Sequence, residues 1–230
     1  MEFSKKLQSA LSNNRNKISR VVDFNPLADR LFPFDFTAAN TELSTEILAD
    51  TSAFSAWTAK QLEHSGSRYG VGGYNEHRTI YSRSAHFDTA EEPRRLHLGV
   101  DIWGPAGTPV YNFYQAKVHS FRNNDHFGDY GATIILKYEL EGLVFHGLYG
   151  HLSVASLSDL ELGQTIESGQ QFATFGIPEE NGNWPPHLHF QLVLDMQGKT
   201  GDYPGVCQFS NRDVYLANCP DPGLVLKYTF

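Results

Sequence analysis

Four histidines and one aspartate carry the chemistry that this chain offers: His97, Asp101, His151, His187 and His189. His187 and His189 open the stretch Pro185-Pro186-His187-Leu188-His189-Phe190-Gln191-Leu192-Val193-Leu194, which reads as a buried β-strand because aliphatic and aromatic residues follow without a breaker. Side chains alternate along a strand, so the two imidazoles share a side. Holding two polar rings on one buried face costs free energy unless a metal, a carboxylate or a reacting group uses them. His97 and Asp101 lie four residues apart in Arg95-Leu96-His97-Leu98-Gly99-Val100-Asp101. Fully extended, four residues span roughly 13 Å, too far for a single ion with ligand bonds near 2 Å. The chain must bend between them, and Gly99 is the residue that permits it. His151 sits in Leu148-Tyr149-Gly150-His151-Leu152-Ser153, where a strand meets a loop. Catalytic zinc takes three ligands from His, Asp and Glu and lowers the pKa of its water from about 16 to about 7. Five such residues suffice for three ligands and two helpers in proton transfer, but spacing alone does not assign the roles.

The elements that must position these residues are mostly strands. Candidates are 99–103, 109–113, 116–122, 132–139, 143–150, 171–175 and 187–194, with Glu141-Gly142 as the tight turn of a hairpin. Before residue 66 the texture differs. Leu7, Leu11 and Ile18 have helical spacing, and 41–62 reads as one or two further helices after an interruption at 25–36. The expected organisation is a helical N-terminal extension over 1–65, a catalytic domain over 66–200 and a tail over 201–230 packed on it. The fold class is mainly β, with an antiparallel sheet core and helices confined to the ends.

A chain of 230 residues with 40% hydrophobic, 13% aromatic and 19% charged residues builds a real core. A net charge of −8 argues against nucleic acid as the main partner. No apolar run of about 18 residues is present to span a membrane. The first 23 residues lack the apolar segment and cleavage site of a secretory signal, so the expected compartment is the cytoplasm, or the periplasm or exterior if a signal has been removed. Cys207 and Cys219 could form one disulfide across a short loop or stay as free thiols; the lack of an export signal favours free thiols.

His97-x-x-x-Asp101, Tyr149-Gly150-His151-Leu152-Ser153 and His187-x-His189-Phe190, in that order, together with Gly107-Thr108-Pro109-Val110, resemble the signature of the lysostaphin/LytM family of zinc endopeptidases. The resemblance covers about 94–194. It implies that His97, Asp101 and His189 bind Zn2+, and that His151 and His187 serve as general base or as stabilisers of the tetrahedral intermediate. It also implies an antiparallel sheet with a grooved site, and hydrolysis of peptides in peptidoglycan, with cell-wall stem or cross-bridge peptides as substrates. Trp184-Pro185-Pro186-His187 resembles a subgroup that also occurs fused to aminotransferase-like and sugar-kinase-like domains. Two departures stand out: the bulky loop 179–186 before the histidine pair, and Gln191 where many relatives have Glu.

Two other functions compete with a cell-wall endopeptidase. One is a cytoplasmic zinc hydrolase of small peptides or amides; the other is a catalytically silent, LytM-like regulatory module. All five positions being filled argues for catalysis. Elsewhere, His77 and His86 could reach over the groove, Arg94 and Arg95 read as a solvated pair, and Tyr149, two residues before His151, shares its side of the strand.

Overall fold

The computed structural model describes residues 2–88 and 91–226. Among them the strands are β1 (Leu31–Phe34), β2 (Tyr69–Gly72), β3 (Leu96–His97), β4 (Val100–Trp103), β5 (Pro109–Tyr111), β6 (Ala116–Asn124), β7 (Gly131–Leu140), β8 (Leu143–Leu152), β9 (Thr165–Ile166), β10 (Gln171–Thr174), β11 (His187–Val193) and β12 (Val206–Cys207). The α-helices are α1 (Glu2–Asn13), α2 (Thr45–Ala49), α3 (Thr51–Ser65) and α4 (Arg212–Asn218).

Eight strands form one sheet in the order β1-β2-β4-β11-β8-β7-β6-β9, antiparallel except for the parallel pair β1 and β2. Its spine is the β7–β8 hairpin. Glu141 and Gly142 both take positive φ, 50° and 76°, the requirement of a two-residue turn matched to strand twist. Every residue of β11 is buried, because both faces of the sheet are covered there. Leu188, Phe190 and Leu192 enter the main core with Val100, Ile102, Ile134, Leu136 and Tyr149. His187, His189 and Gln191 take the opposite side, as a period of two dictates.

The mainly β fold with few helices is as expected. Helix α1 buries Leu7, Ala10 and Leu11 against the main core, with Ile18 following it. Helix α3 is capped at its start by Asp50, which accepts from the Ala53 N–H at 2.9 Å, and ends at Gly66 with φ 61°. The interruption at 25–36 holds more than a break: Leu31–Phe34 adds β1 to the sheet edge, where Pro33 is tolerated because an edge strand need not donate at every position. Phe34, Phe36 and Phe54 of the N-terminal part then pack with Trp103 and Trp184 in a second, aromatic core. In the tail, β12 pairs with β3, while residues 227–230 lie outside the described residues. Cys207 and Cys219 are both buried free thiols.

Candidate active site

His97 ends β3, Asp101 lies in β4 and His189 in β11, which pairs directly with β4 in the register His189 opposite Asp101. The bend that brings His97 beside Asp101 falls at residues 98–99. Gly99 serves it by bulk rather than by unusual torsion. A Cβ there would stand 2.6 Å from His189 Cε1 and 2.8 Å from the Phe190 carbonyl oxygen.

Three atoms converge. His97 Nε2 is 3.0 Å from His189 Nδ1 and 3.2 Å from Asp101 Oδ1, and His189 Nδ1 is 3.0 Å from Asp101 Oδ1. The other nitrogen of each ring fixes its tautomer. His97 Nδ1 meets the Gly73 carbonyl oxygen at 2.8 Å, so Nδ1 carries the proton and Nε2 a lone pair. Gln191 Nε2 donates to the Pro204 carbonyl and to Cys219 Sγ, which turns Gln191 Oε1 toward His189 Nε2 at 2.9 Å. His189 Nε2 therefore carries the proton and Nδ1 the lone pair. Three acceptors face one another with no proton among them, an arrangement that a cation would relieve. Ligand atoms about 2.0–2.2 Å from a tetrahedral zinc lie about 3.3–3.5 Å apart. The donor set thus fits a metal ion to within a few tenths of an ångström.

Asp101 is further held by Arg78, a fully buried guanidinium whose Nη1 donates to Asp101 Oδ2 at 2.5 Å and to the Tyr81 hydroxyl at 3.2 Å. Arg78 Nε donates to Glu76 at 2.6 Å. Burial opposes ionisation of Asp101, but the His97 ring and Arg78 outweigh it and keep the carboxyl well below the usual range. Burial, with Arg78 adding to it, pushes His97 down to about 4. Sequence reasoning missed Arg78. It lies between strands in a polar stretch, and nothing in its neighbours marks it as the residue that reaches Asp101.

His151 and His187 stand next to this triad with ring centroids 4.1 Å apart. Each donates from Nδ1 to a backbone carbonyl of the 179–186 loop or its end, His151 to Asn181 and His187 to Pro185, both at 2.7 Å. Both therefore present an unprotonated Nε2 to the cavity. Burial lowers both, His187 to about 4 and His151 well below the ordinary histidine value. His187 stacks on Trp103 at 3.9 Å and 12°, and Phe36 braces Trp103 from the other part of the aromatic core at 5.1 Å.

Regular alternation would put His151 on the side of Tyr149, and the structure corrects this. The β7–β8 register shifts between Ala132 and Ile134, and His151 takes φ 61°, which is uncommon for a non-glycine residue. The chain thereby turns the His151 ring toward His187, while Tyr149 stays in the core, its hydroxyl 2.6 Å from that of Tyr138.

A cavity of about 160 Å³ opens over four of the five residues. Asp101, His151, His187 and His189 line it together with Arg78, Tyr81 and Tyr130, and with Trp184, which also belongs to the aromatic core. His86 lines it too, whereas His77 lies elsewhere, in an isolated bridge with Leu96. The arginine pair is not solvated as expected: Arg95 is largely buried against Asp88, and Arg94 lines the cavity.

Residues 95–201 match the sequence profile of peptidase family M23. Among solved structures, the chain is similar to a zinc-containing peptidase from Vibrio cholerae, with 28% identity over 43% of this chain and 27% of that one, and a TM-score of 0.34. It is also similar to the catalytic domain of the antimicrobial peptidase lysostaphin from Staphylococcus simulans, with 23% identity over 53% of this chain and 80% of that one, and a TM-score of 0.37. The chain thus spans about a quarter of the Vibrio protein and most of the lysostaphin domain. None of the curated proteins matches the chain. Among the described residues, no helix is long and apolar enough to cross a membrane.

Proposed function

We propose that this protein, whose residues 95–201 match the profile of peptidase family M23, is a zinc-dependent peptidase acting on peptides of the peptidoglycan stem or cross-bridge kind. The carrying observation is the triangle of lone pairs on His97 Nε2, Asp101 Oδ1 and His189 Nδ1, closed to 3.0–3.2 Å with no proton among them. These three residues would hold the ion, and residues 66–200 would form the catalytic unit. Zinc bound there would supply Lewis acidity and a water acidified toward neutral pH.

The remaining steps belong to the chain's own side chains. His151, neutral and anchored through Nδ1, accepts at Nε2 the proton lost by water as its oxygen adds to the peptide carbonyl carbon. It then returns that proton to the amine as the C–N bond breaks, so water is divided between the two products. His187, held against Trp103, is the second acceptor, and once protonated a donor to the oxygen that gains negative charge. Arg78 keeps Asp101 ionised and fixes which of its oxygens faces the histidines.

The test is mass spectrometry of purified cell-wall fragments and short stem peptides incubated with the protein, with parallel samples holding a chelator or the His151→Ala variant. A new peptide product that requires both metal and His151 supports the reading and names the bond. Absence of product in zinc-loaded protein would overturn it. The small volume of the cavity, about 160 Å³, favours one second reading, a hydrolase of small peptides or amides rather than of intact wall.

A further inference from the structure

The cavity over the site is half open, and about half of its wall lies outside the matched family segment. Arg78, Ile80, Tyr81, His86, Phe87 and Arg94 precede residue 95. At about 160 Å³ the space is on the scale of an engineered cavity of about 150 Å³ that takes up benzene, so it accommodates roughly one residue of a peptide. A half-open cavity of that size beside the histidines suits the terminal residue of a short peptide.

The charges that line it distinguish which end. Arg78 is committed to Asp101 and Glu76. Asp129 accepts from the Tyr130 N–H, and Asp202 lies with it near Tyr130, while Lys199 is exposed at the rim. Arg94 is different. Its Nη2 donates to the His86 carbonyl, its guanidinium lies 5.6 Å from the Phe87 ring, and its buried Nε–H has no partner. Among the described residues no carboxylate pairs with it. Three cations and three carboxylates line the cavity, so a bound dication leaves the space net positive and suited to an anion. An unpaired, partly desolvated guanidinium in such a space is a carboxylate receptor.

Resting on the peptidase reading above, we propose that Arg94 binds the free C-terminal carboxylate of a short peptide substrate whose last residue fills this cavity. The probes are triglycine and D-alanyl-D-alanine, each as free acid and as amide, titrated by calorimetry into zinc-loaded His151→Ala protein. That variant leaves Arg94 in place and turns substrate over about 10²–10⁴-fold more slowly. At least one acid binds about tenfold or more tightly than its amide, the scale of a charge-assisted hydrogen bond. Adding Arg94→Gln shrinks the gap below about twofold, and Arg94→Lys keeps part of it, with thermal transitions showing that each variant is folded. Equal affinity for acid and amide, a gap that survives Arg94→Gln, or no binding of any of the four would overturn the inference. A protein that cleaves wall fragments yet treats acid and amide alike loses this inference and keeps the peptidase reading. One that prefers the acid but cleaves nothing loses the reading alone.

Discussion

Gln191 Oε1 stands 2.9 Å from His189 Nε2, across the ring from the Nδ1 atom that meets His97 and Asp101. The amide can hold this orientation only because its NH2 group is spent on the Pro204 carbonyl and Cys219 Sγ. Groups that orient a ligating imidazole typically tune metal affinity 10–100-fold (roughly) when lost. Gln191→Leu is therefore expected to weaken zinc binding by about that factor, measured by competition with a chromophoric chelator. Gln191→Glu keeps an acceptor but loses the NH2 that anchors it to Pro204 and Cys219, so its affinity should fall between those of the parent and Gln191→Leu. Unchanged affinity in Gln191→Leu would remove Gln191 from this role.

Arg78 offers a test of stability rather than of metal. It is buried with two carboxylates, Glu76 and Asp101, at 2.6 and 2.5 Å. Removing one partner of a buried pair typically costs about 3–5 kcal/mol because the other charge is left unsatisfied. Urea denaturation of metal-free Arg78→Met should show a loss of that order. Adding Asp101→Asn should recover part of it, since the stranded charge is then gone; an additive double variant would contradict the pairing.

Much of this arrangement was legible in the sequence, and what was not has physical reasons. The strands of the sheet centre stood out because aliphatic runs such as Ala132–Glu139 and His187–Leu194 end at turn residues, and Glu141-Gly142 can make little but a tight turn. His187 and His189 share a side because strand period leaves no choice. The side of His151 was not legible, since a single left-handed residue and a register shift invert it, and neither has a local signature. Strand β1 was hidden because four residues with a proline become a strand only when β2 is there to pair with them. Arg78 and Arg94 look alike in sequence to any surface arginine. Their burial comes from the way the segment before residue 95 folds over β4 and β11.

His146 predicts a pH dependence far from the candidate metal site. Burial, with the His119 ring 4.9 Å away, lowers it from 6.5 to about 4, and its Nδ1 is buried without a partner. The cross-strand neighbour Lys137 adds to the effect, and Asp195 opposes it. A depressed histidine binds its proton more readily in the unfolded chain, so the folded state is favoured at high pH. The contribution is complete above about pH 6.5 and is lost as pH falls toward 4. Denaturation midpoints should decline across that window, and His146→Leu should flatten the decline without abolishing it, because His119 is lowered as well. An unaltered slope would mean that His146 is already protonated in the folded state.

The division of labour among the five polar residues separates cleanly by experiment. His97→Ala and Asp101→Ala each remove a corner of the lone-pair triangle, so neither protein should retain stoichiometric zinc after dialysis, as read by atomic absorption. His151 lies outside the triangle, with its ring centroid 6.4 Å from that of His189. His151→Ala should therefore keep about one zinc per chain while kcat falls about 10²–10⁴-fold, the range of a lost general base. Its KM should change far less, because the ring acts on the water proton and not on the bulk of the peptide. Full metal in His97→Ala would refute the ligand assignment. A His151→Ala rate equal to the parent's would transfer the proton to His187, whose Nε2 faces the same cavity and whose Pro185 anchor holds it in the same tautomer.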